Sequence, residues 1–252
     1  MSTNKTVFFL IGILLIVLGV AMTAPYALQI IFQEESHSFI SASFITVFIG
    51  ILFVLSNLER EYKLNLRQTF LFSSLAWIMV AIFGSLPFLL SNQNFSFSEA
   101  FFESMSGITT TGSTILTDID SAPKAILLWR AILQWLGGIG IILMAITLMP
   151  IMNIGGMQLF KISSNDSSEK ILPKSKEVSF RLIIIYSLLT FACAVFYKLF
   201  GMNYFDSLTH SMTTIATGGF SNYNQSIGYF DSVPIEISSM IFIILGSIPF
   251  IA

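Results

Sequence analysis

The chain contains one short pattern twice, and this repetition limits its fold more than any other feature of the sequence. Residues 109–113 are Thr-Thr-Thr-Gly-Ser, and residues 216–220 are Ala-Thr-Gly-Gly-Phe. Position 109 corresponds to position 216, an offset of 107 residues, and the flanking residues match at the same offset without a gap. The matched pairs are Ser96 and Asn203, Glu99 and Asp206, Ser104 and Ser211, Met105 and Met212, Ile108 and Ile215, Thr110 and Thr217, and Gly112 and Gly219. The sequence therefore predicts two equivalent segments, which we call the first Thr/Gly loop (residues 109–113) and the second Thr/Gly loop (residues 216–220).

Long apolar segments surround both loops. Of the 252 residues, 54% are hydrophobic and 10% are charged, whereas about a quarter of the residues in a soluble domain are charged. Apolar runs of about 18 residues or more are long enough to cross a bilayer as helices. Six runs are predicted to do so, the second at the short limit: residues 7–32, 39–55, 70–90, 125–148, 182–200 and 235–252. Because the sixth run continues to the last residue, we expect the sequence to be a fragment of a longer protein.

The basic residues predict the orientation of these spans, because cytoplasmic loops of membrane proteins are rich in lysine and arginine. If the N-terminus is cytoplasmic, most basic residues fall on the cytoplasmic side: Lys5, Arg60, Lys63, Arg67, Lys161, Lys170, Lys174, Lys176 and Arg181. This holds only if residues 96–113 and 203–220 enter the membrane from outside and return to the same side. We therefore expect a multi-pass membrane protein with two re-entrant segments.

Each re-entrant segment begins with a helix-capping pattern. Ser96 and Glu99 have the spacing of a capping box, and Asn203 and Asp206 repeat it. The pattern predicts pore helices over residues 96–108 and 203–215. A helix of about 12 residues reaches roughly halfway through a bilayer. Its partially negative C-terminal end would then face the membrane centre, where it favours a cation.

The composition of the Thr/Gly loops predicts an ion-binding backbone. A glycine can adopt positive φ and turn successive carbonyl groups to one side, and carbonyl oxygens can replace the water shell of a cation. The predicted ligands, mainly backbone carbonyls, are those of Thr109, Thr110, Thr111, Gly112, Ala216, Thr217, Gly218 and Gly219. Neither loop contains a carboxylate, which a tightly bound divalent ion would normally require. The pattern thus favours a monovalent cation, although ordinary outer loops would also explain a single such stretch.

Longer motifs resemble a known family. They are residues 100–104 (Ala-Phe-Phe-Glu-Ser), 109–112, 127–130 (Leu-Leu-Trp-Arg), 134–140 (Gln-Trp-Leu-Gly-Gly-Ile-Gly), 155–160 (Gly-Gly-Met-Gln-Leu-Phe) and 213–221 (Thr-Thr-Ile-Ala-Thr-Gly-Gly-Phe-Ser). Together they resemble the membrane subunit of Trk/Ktr-type potassium transporters, and most closely the TrkH branch. The resemblance extends along essentially the whole chain.

This resemblance implies a potassium-channel-like fold in which four helix–pore helix–filter–helix repeats surround one pore, preceded by two extra helices. The chain would supply the two leading helices (residues 1–66), a first repeat (67–160), a cytoplasmic linker (161–179) and an incomplete second repeat (180–252). It also implies potassium uptake, a homodimer and a cytosolic nucleotide-binding regulatory subunit, with no cofactor. Related plant transporters that prefer sodium have serine where this chain has Gly112, so glycine there implies potassium.

Two other functions are alternatives to transport through a pore. A secondary transporter with broken half-helices would bind its solute at the membrane midplane, but it should carry polar residues along its spans, and spans three to six contain few. An intramembrane enzyme could use His210 with a nearby serine, yet no serine lies in a nucleophile motif. The net charge of −2 gives no indication of a nucleic-acid partner.

Several residues within the apolar segments have both structural and functional interpretations. Arg130 is either an anchor or a functional charge, with Asp118, Asp120 or a pore-helix carboxylate as its partner. Glu103 and His210 occupy matching positions and could tune ion entry or serve as buried hydrogen-bonding groups. The glycines at positions 137, 138 and 140 predict close packing between helices.

Overall fold

A computed structural model describes residues 4–34, 37–59, 64–152 and 171–248. All regular secondary structure in these ranges is helical. The α-helices are α1 (Lys5–Ala21), α2 (Thr23–Ile31), α3 (Ser38–Ser56), α4 (Leu66–Gly84), α5 (Leu86–Leu89), α6 (Phe97–Ile108), α7 (Lys124–Met152), α8 (Ile171–Leu199), α9 (Tyr204–Ile215) and α10 (Val233–Ser247). One short 3₁₀ helix, Ser226–Phe230, precedes α10.

Five helical stretches among the described residues are long and apolar enough to cross a membrane. They are Lys5–Ile31, Ser38–Ser56, Leu66–Leu89, Lys124–Ile142 and Glu177–Leu199. They agree with the first five predicted spans, which confirms an all-helical membrane fold. The sixth predicted run contains α10, an apolar helix of 15 residues, and its residues 249–252 lie outside the described part of the chain.

Two of the predicted spans are interrupted near a proline. The run at 7–32 divides at Met22 into α1 and α2, and the run at 70–90 divides at Ser85 into α4 and α5. Pro25 and Pro87 follow these breaks by two or three residues. Because proline has no amide hydrogen and its ring collides with the carbonyl four residues earlier, neither helix can continue straight through.

The second half of the described chain begins with α8. This helix begins at Ile171, so residues 171–179, which we predicted as the end of the linker, extend the fifth span. Residues 161–170 of the predicted linker and the motif at 155–160 lie outside the described residues.

Close approach between helices is made possible by glycines. Where α1 crosses α3, a Cβ atom added to Gly12 would lie 2.7 Å from the carbonyl oxygen of Gly50.

The short helix α6 packs between α4 and α7, and α9 packs between α8 and α10. Helix α7 also contacts α9, so it lies beside both short helices. The Trp129 side chain, fully buried on α7, donates a hydrogen bond to the carbonyl of Gly84 on α4 at 2.9 Å.

Candidate ion-binding site

The two short helices begin as the sequence predicts. At α6, Glu99 accepts a hydrogen bond from the amide of Ser96 at 2.8 Å, and the Ser96 hydroxyl accepts one from the amide of Glu99 at 3.4 Å. The Ser96 hydroxyl also donates to the Glu99 carboxylate, which lowers the pKa of Glu99. At α9, the Asn203 side chain accepts from the amide of Asp206 at 2.8 Å. There the return contact is made by the Asn203 amide group to the Asp206 carboxylate, at 2.5 Å.

Each Thr/Gly loop folds back onto the end of its short helix through the same three hydrogen bonds. The donor and acceptor pairs are Thr109 to Met105 (2.9 Å), Thr110 to Gly107 (2.9 Å) and Thr111 to Ser106 (3.0 Å), matched by Ala216 to Met212 (3.1 Å), Thr217 to Thr214 (3.0 Å) and Gly218 to Thr213 (3.0 Å). The amide groups of residues 109–111 and 216–218 are therefore satisfied. Within the described part of the chain, no donor is bonded to a carbonyl oxygen of residues 109–112 or 216–219. These eight oxygens are free acceptors.

The backbone alternates in handedness along both loops. Thr110 and Gly112 have φ of 55° and 80°, and Thr217 and Gly219 have φ of 54° and 75°. The residues before and between them have negative φ, as at Thr109 with φ of −82°. The loops are therefore neither helical nor extended at these residues, because both regular structures repeat one negative φ. We predicted positive φ for the glycines but not for the threonines, because a β-branched residue rarely adopts it.

The two loops touch each other at Gly112 and Gly218. A Cβ atom at Gly112 would lie 2.0 Å from the carbonyl oxygen of Gly218, so no larger residue fits without moving a backbone. A Cβ atom at Gly218 would lie 2.4 Å from the side-chain amide carbon of Gln134 on α7. The Gln134 side chain thus fills the space behind the point where the loops meet.

A buried ion pair lies within the first repeat, and its arginine also contacts the second repeat. Nε of Arg130 on α7 lies 2.7 Å from Oε1 of Glu103 on α6, and both side chains are almost completely buried. Glu103 also accepts from the Thr114 hydroxyl at 2.9 Å. Nη1 of Arg130 donates to the carbonyl of Ser221 at 2.9 Å, and the guanidinium lies over the Phe220 ring at 4.1 Å. The partner of Arg130 is therefore the pore-helix carboxylate, one of the three partners we considered.

His210 is the equivalent of Glu103 in the second repeat and makes the equivalent contact. Its Nε2 lies 3.0 Å from the hydroxyl of Ser221, which matches Thr114 at the same offset of 107 residues. The other ring nitrogen lies 3.0 Å from the carbonyl of Asp206. The buried ring therefore has a partner at each nitrogen, and its contact with Ser221 joins α9 to the segment after the second loop.

The segments that follow the two loops are bonded to each other at one end of the site. The Asn224 side chain donates to Asp120 at 2.8 Å and accepts from the amide of Ile119 at 3.0 Å. Asp118 accepts from the Ser121 hydroxyl at 2.7 Å, which lowers the pKa of Asp118. Asp118 and Asp120 therefore connect the two halves, rather than pairing with Arg130.

The glycines of α7 bring this helix against both loops. A Cβ atom at Gly137 would lie 1.9 Å from the carbonyl oxygen of Ile108, and one at Gly138 would lie 3.1 Å from Ala216. The predicted role of these two glycines in helix packing agrees with this geometry. Gly140 differs, because a Cβ atom there would meet no atom within 4 Å in the described residues.

The profile of the TrkH family, described as a cation transport protein, matches residues 35–251. Trk system potassium uptake protein TrkH of Vibrio parahaemolyticus is 39% identical over 250 residues, which are 98% of this chain and 52% of that protein. Its Escherichia coli K12 counterpart is 39% identical over 241 residues, covering 94% of this chain and 50% of that protein. The chain thus spans about half the length of the curated relatives it matches.

The fold agrees with a solved structure. The crystal structure of the potassium transporter TrkH from Vibrio parahaemolyticus superimposes with a TM-score of 0.85 at 37% identity, over 97% of this chain and 50% of that one. The chain belongs to the TrkH family of cation transport proteins, a family of multi-pass membrane proteins that are transporters and not enzymes. The predicted family is confirmed.

Proposed function

We propose that the protein transports potassium across the bacterial plasma membrane as the pore-forming subunit of a Trk-type uptake system, and that the two Thr/Gly loops form part of its selectivity filter. The observation that carries this proposal is the set of eight carbonyl oxygens at residues 109–112 and 216–219 to which no donor of the described residues is bonded. Each set follows the C-terminal end of a short helix, where the helix dipole favours a cation.

The lengths of α6 and α9 support a re-entrant arrangement. Each has 12 residues and is therefore about 18 Å long, against about 30 Å for the hydrocarbon core of a bilayer. Neither can cross the membrane, and each lies between two longer helices. On this proposal the loops lie near the middle of the membrane, where irregular backbone is tolerated only beside a polar cavity.

A filter made of carbonyl dipoles suits a monovalent cation that loses its water readily. The two loops described above contact each other on one side through Gly112 and Gly218, so they can surround only part of an ion. We propose that two further loops, from outside this sequence, complete the ring. The distribution of basic residues leads us to propose a cytoplasmic N-terminus. The resemblance to TrkH leads us to propose a homodimer and a cytosolic nucleotide-binding regulatory partner.

The test uses the complete gene in a bacterial strain that lacks its own potassium uptake systems. Gly112→Asp and Gly219→Asp should each lower the initial rate of potassium uptake by about tenfold or more, because each adds a charged side chain beside the backbone ligands at a residue of positive φ. Gly201→Asp is the matched control, since Gly201 also has positive φ, at 112°, but lies between α8 and α9, and none of the described residues has an atom within 4 Å of its Cβ position. Unchanged uptake by membrane-inserted Gly112→Asp and Gly219→Asp proteins would exclude the filter assignment.

A further inference from the structure

Gln134 occupies an unusual place on α7. The side chain is fully buried, and its Oε1 accepts a hydrogen bond from the amide of Phe220, in the second Thr/Gly loop, at 3.0 Å. Its Nε2 is also buried and has no hydrogen-bond partner among the described residues. Leaving a buried amide donor without a partner costs free energy of folding. Stability alone therefore does not explain a glutamine at this position.

The surroundings of Gln134 indicate what it does. A Cβ atom at Gly218 would lie 2.6 Å from Nε2 of Gln134, and one at Gly112 would lie 3.7 Å from it. These are the two residues through which the loops touch. The amide group therefore lies directly behind the contact between the loops, and it is bonded to one of them.

The remainder of α7 holds this position firmly. One helical turn before Gln134, Arg130 bonds to the carbonyl of Ser221 at 2.9 Å. One turn after it, Gly138 lies against Ala216 at the start of the second loop. Helix α7 of the first repeat thus contacts the second Thr/Gly loop and the residue after it at three positions, one helical turn apart. Of these three positions, Gln134 is the one that also lies near the first loop.

We infer that Gln134 is a positioning residue that sets the separation between the two Thr/Gly loops and thereby the discrimination between potassium and sodium. The inference depends on the proposed filter function. A ring of carbonyls that is held too wide or too narrow by a fraction of an ångström changes the relative stability of the two dehydrated ions. Without the bond to Phe220, the second loop loses one of the three contacts that hold it against α7.

The test compares three variants of the complete protein, purified and reconstituted in liposomes, by the ratio of potassium to sodium flux. Gln134→Met keeps the size of the side chain but removes the acceptor, and we expect it to lower the ratio roughly fivefold to tenfold, the factor that corresponds to one hydrogen bond. Gln134→Glu keeps an acceptor for the Phe220 amide and should retain more of the ratio than Gln134→Met. Gln29→Met is the control, because Gln29 is also buried but lies on α2, away from the loops.

The possible results distinguish the role of Gln134 from the proposed filter function. A flux ratio in Gln134→Met equal to that of the unmodified protein, with Gln29→Met also unchanged, overturns the role of Gln134 and leaves the filter proposal in place. If the unmodified protein itself conducts without preference for potassium, the proposed function fails and the inference fails with it. If Gln134→Met does not fold, Gln134→Asn replaces it, because the shorter side chain draws the amide away from Phe220, and an unchanged ratio in that variant overturns the inference equally.

Discussion

Arg130 and Glu103 form an ion pair at 2.7 Å in which the exposed fractions of the two side chains are 1% and 0%. The pair connects α6 of the first repeat to α7, and the second guanidinium nitrogen continues to the Ser221 carbonyl after the second loop. An intramembrane charge is rare and is normally paired or functional. Here the positive charge neutralises the carboxylate beside the first loop and bonds to the backbone beside the second.

The single substitutions Glu103→Met and Arg130→Met should each destabilise the protein strongly. Each leaves one buried charge without its partner, which typically costs about 3–5 kcal/mol. The double variant removes both charges and should recover much of that loss. Unfolding in detergent, followed across this double-mutant cycle, measures the coupling, and strictly additive effects would contradict a direct pair.

Gly112 and Gly219 are equivalent in sequence but should respond differently to substitution by alanine. Both have positive φ, which costs an L-residue about 1–2 kcal/mol. At Gly112 the new Cβ would also lie 2.0 Å from the Gly218 carbonyl oxygen, whereas at Gly219 it meets no atom within 4 Å in the described residues. Gly112→Ala should therefore abolish potassium uptake by the complete protein, and Gly219→Ala should reduce it less. Uptake rates normalised to membrane protein level decide this, and equal loss in both variants would mean that the contact between the loops is unimportant.

The capping box of α6 predicts a pH-dependent contribution to stability. The pKa of Glu99 is lowered, chiefly by the hydrogen bond from the Ser96 hydroxyl. A carboxylate with a depressed pKa stabilises the folded state above its unfolded pKa, and the contribution is lost as the pH falls through the folded pKa. Melting temperatures of the unmodified chain and of Glu99→Gln, measured from neutral to acid pH, should therefore differ most at neutral pH and converge on acidification. A constant difference at every pH would show that the charge of Glu99 contributes nothing.

The repeat in the sequence predicts the features that depend on residues close to each other in the chain. The caps at Ser96 and Asn203, the length of the two short helices and the positive φ of Gly112 all follow from residues within one segment. The structure adds that Thr110 and Thr217 share this positive φ. Such backbone strain is typical of functional sites, but a threonine gives no sign of it in the sequence.

The contacts between the repeats could not be predicted from the sequence, because the residues that make them lie far apart in the chain. Gln134 bonds to Phe220, and Arg130 bonds to Ser221, across separations of 86 and 91 residues. No periodic pattern connects such residues, so only the three-dimensional path of α7 brings them together. Only contacts within each repeat left a signal: Glu103 with Thr114 and His210 with Ser221 match at the repeat offset, and both pairs are bonded in the structure.

The glycines of α7 provide a test of how closely this helix must approach the first loop. A Cβ atom at Gly137 would lie 1.9 Å from the carbonyl oxygen of Ile108, which is backbone and cannot rotate away. Gly137→Ala should therefore push α7 from the end of α6, displace Gln134 and Arg130 from their partners, and lower the melting temperature in detergent. Gly140→Ala is the control on the same helix, because none of the described residues has an atom within 4 Å of its Cβ position. That substitution should be neutral or stabilising by about 0.4–1 kcal/mol, as alanine restricts the unfolded chain more than glycine does. A Gly137→Ala protein as stable as Gly140→Ala would mean that α7 does not lie against the first loop as described.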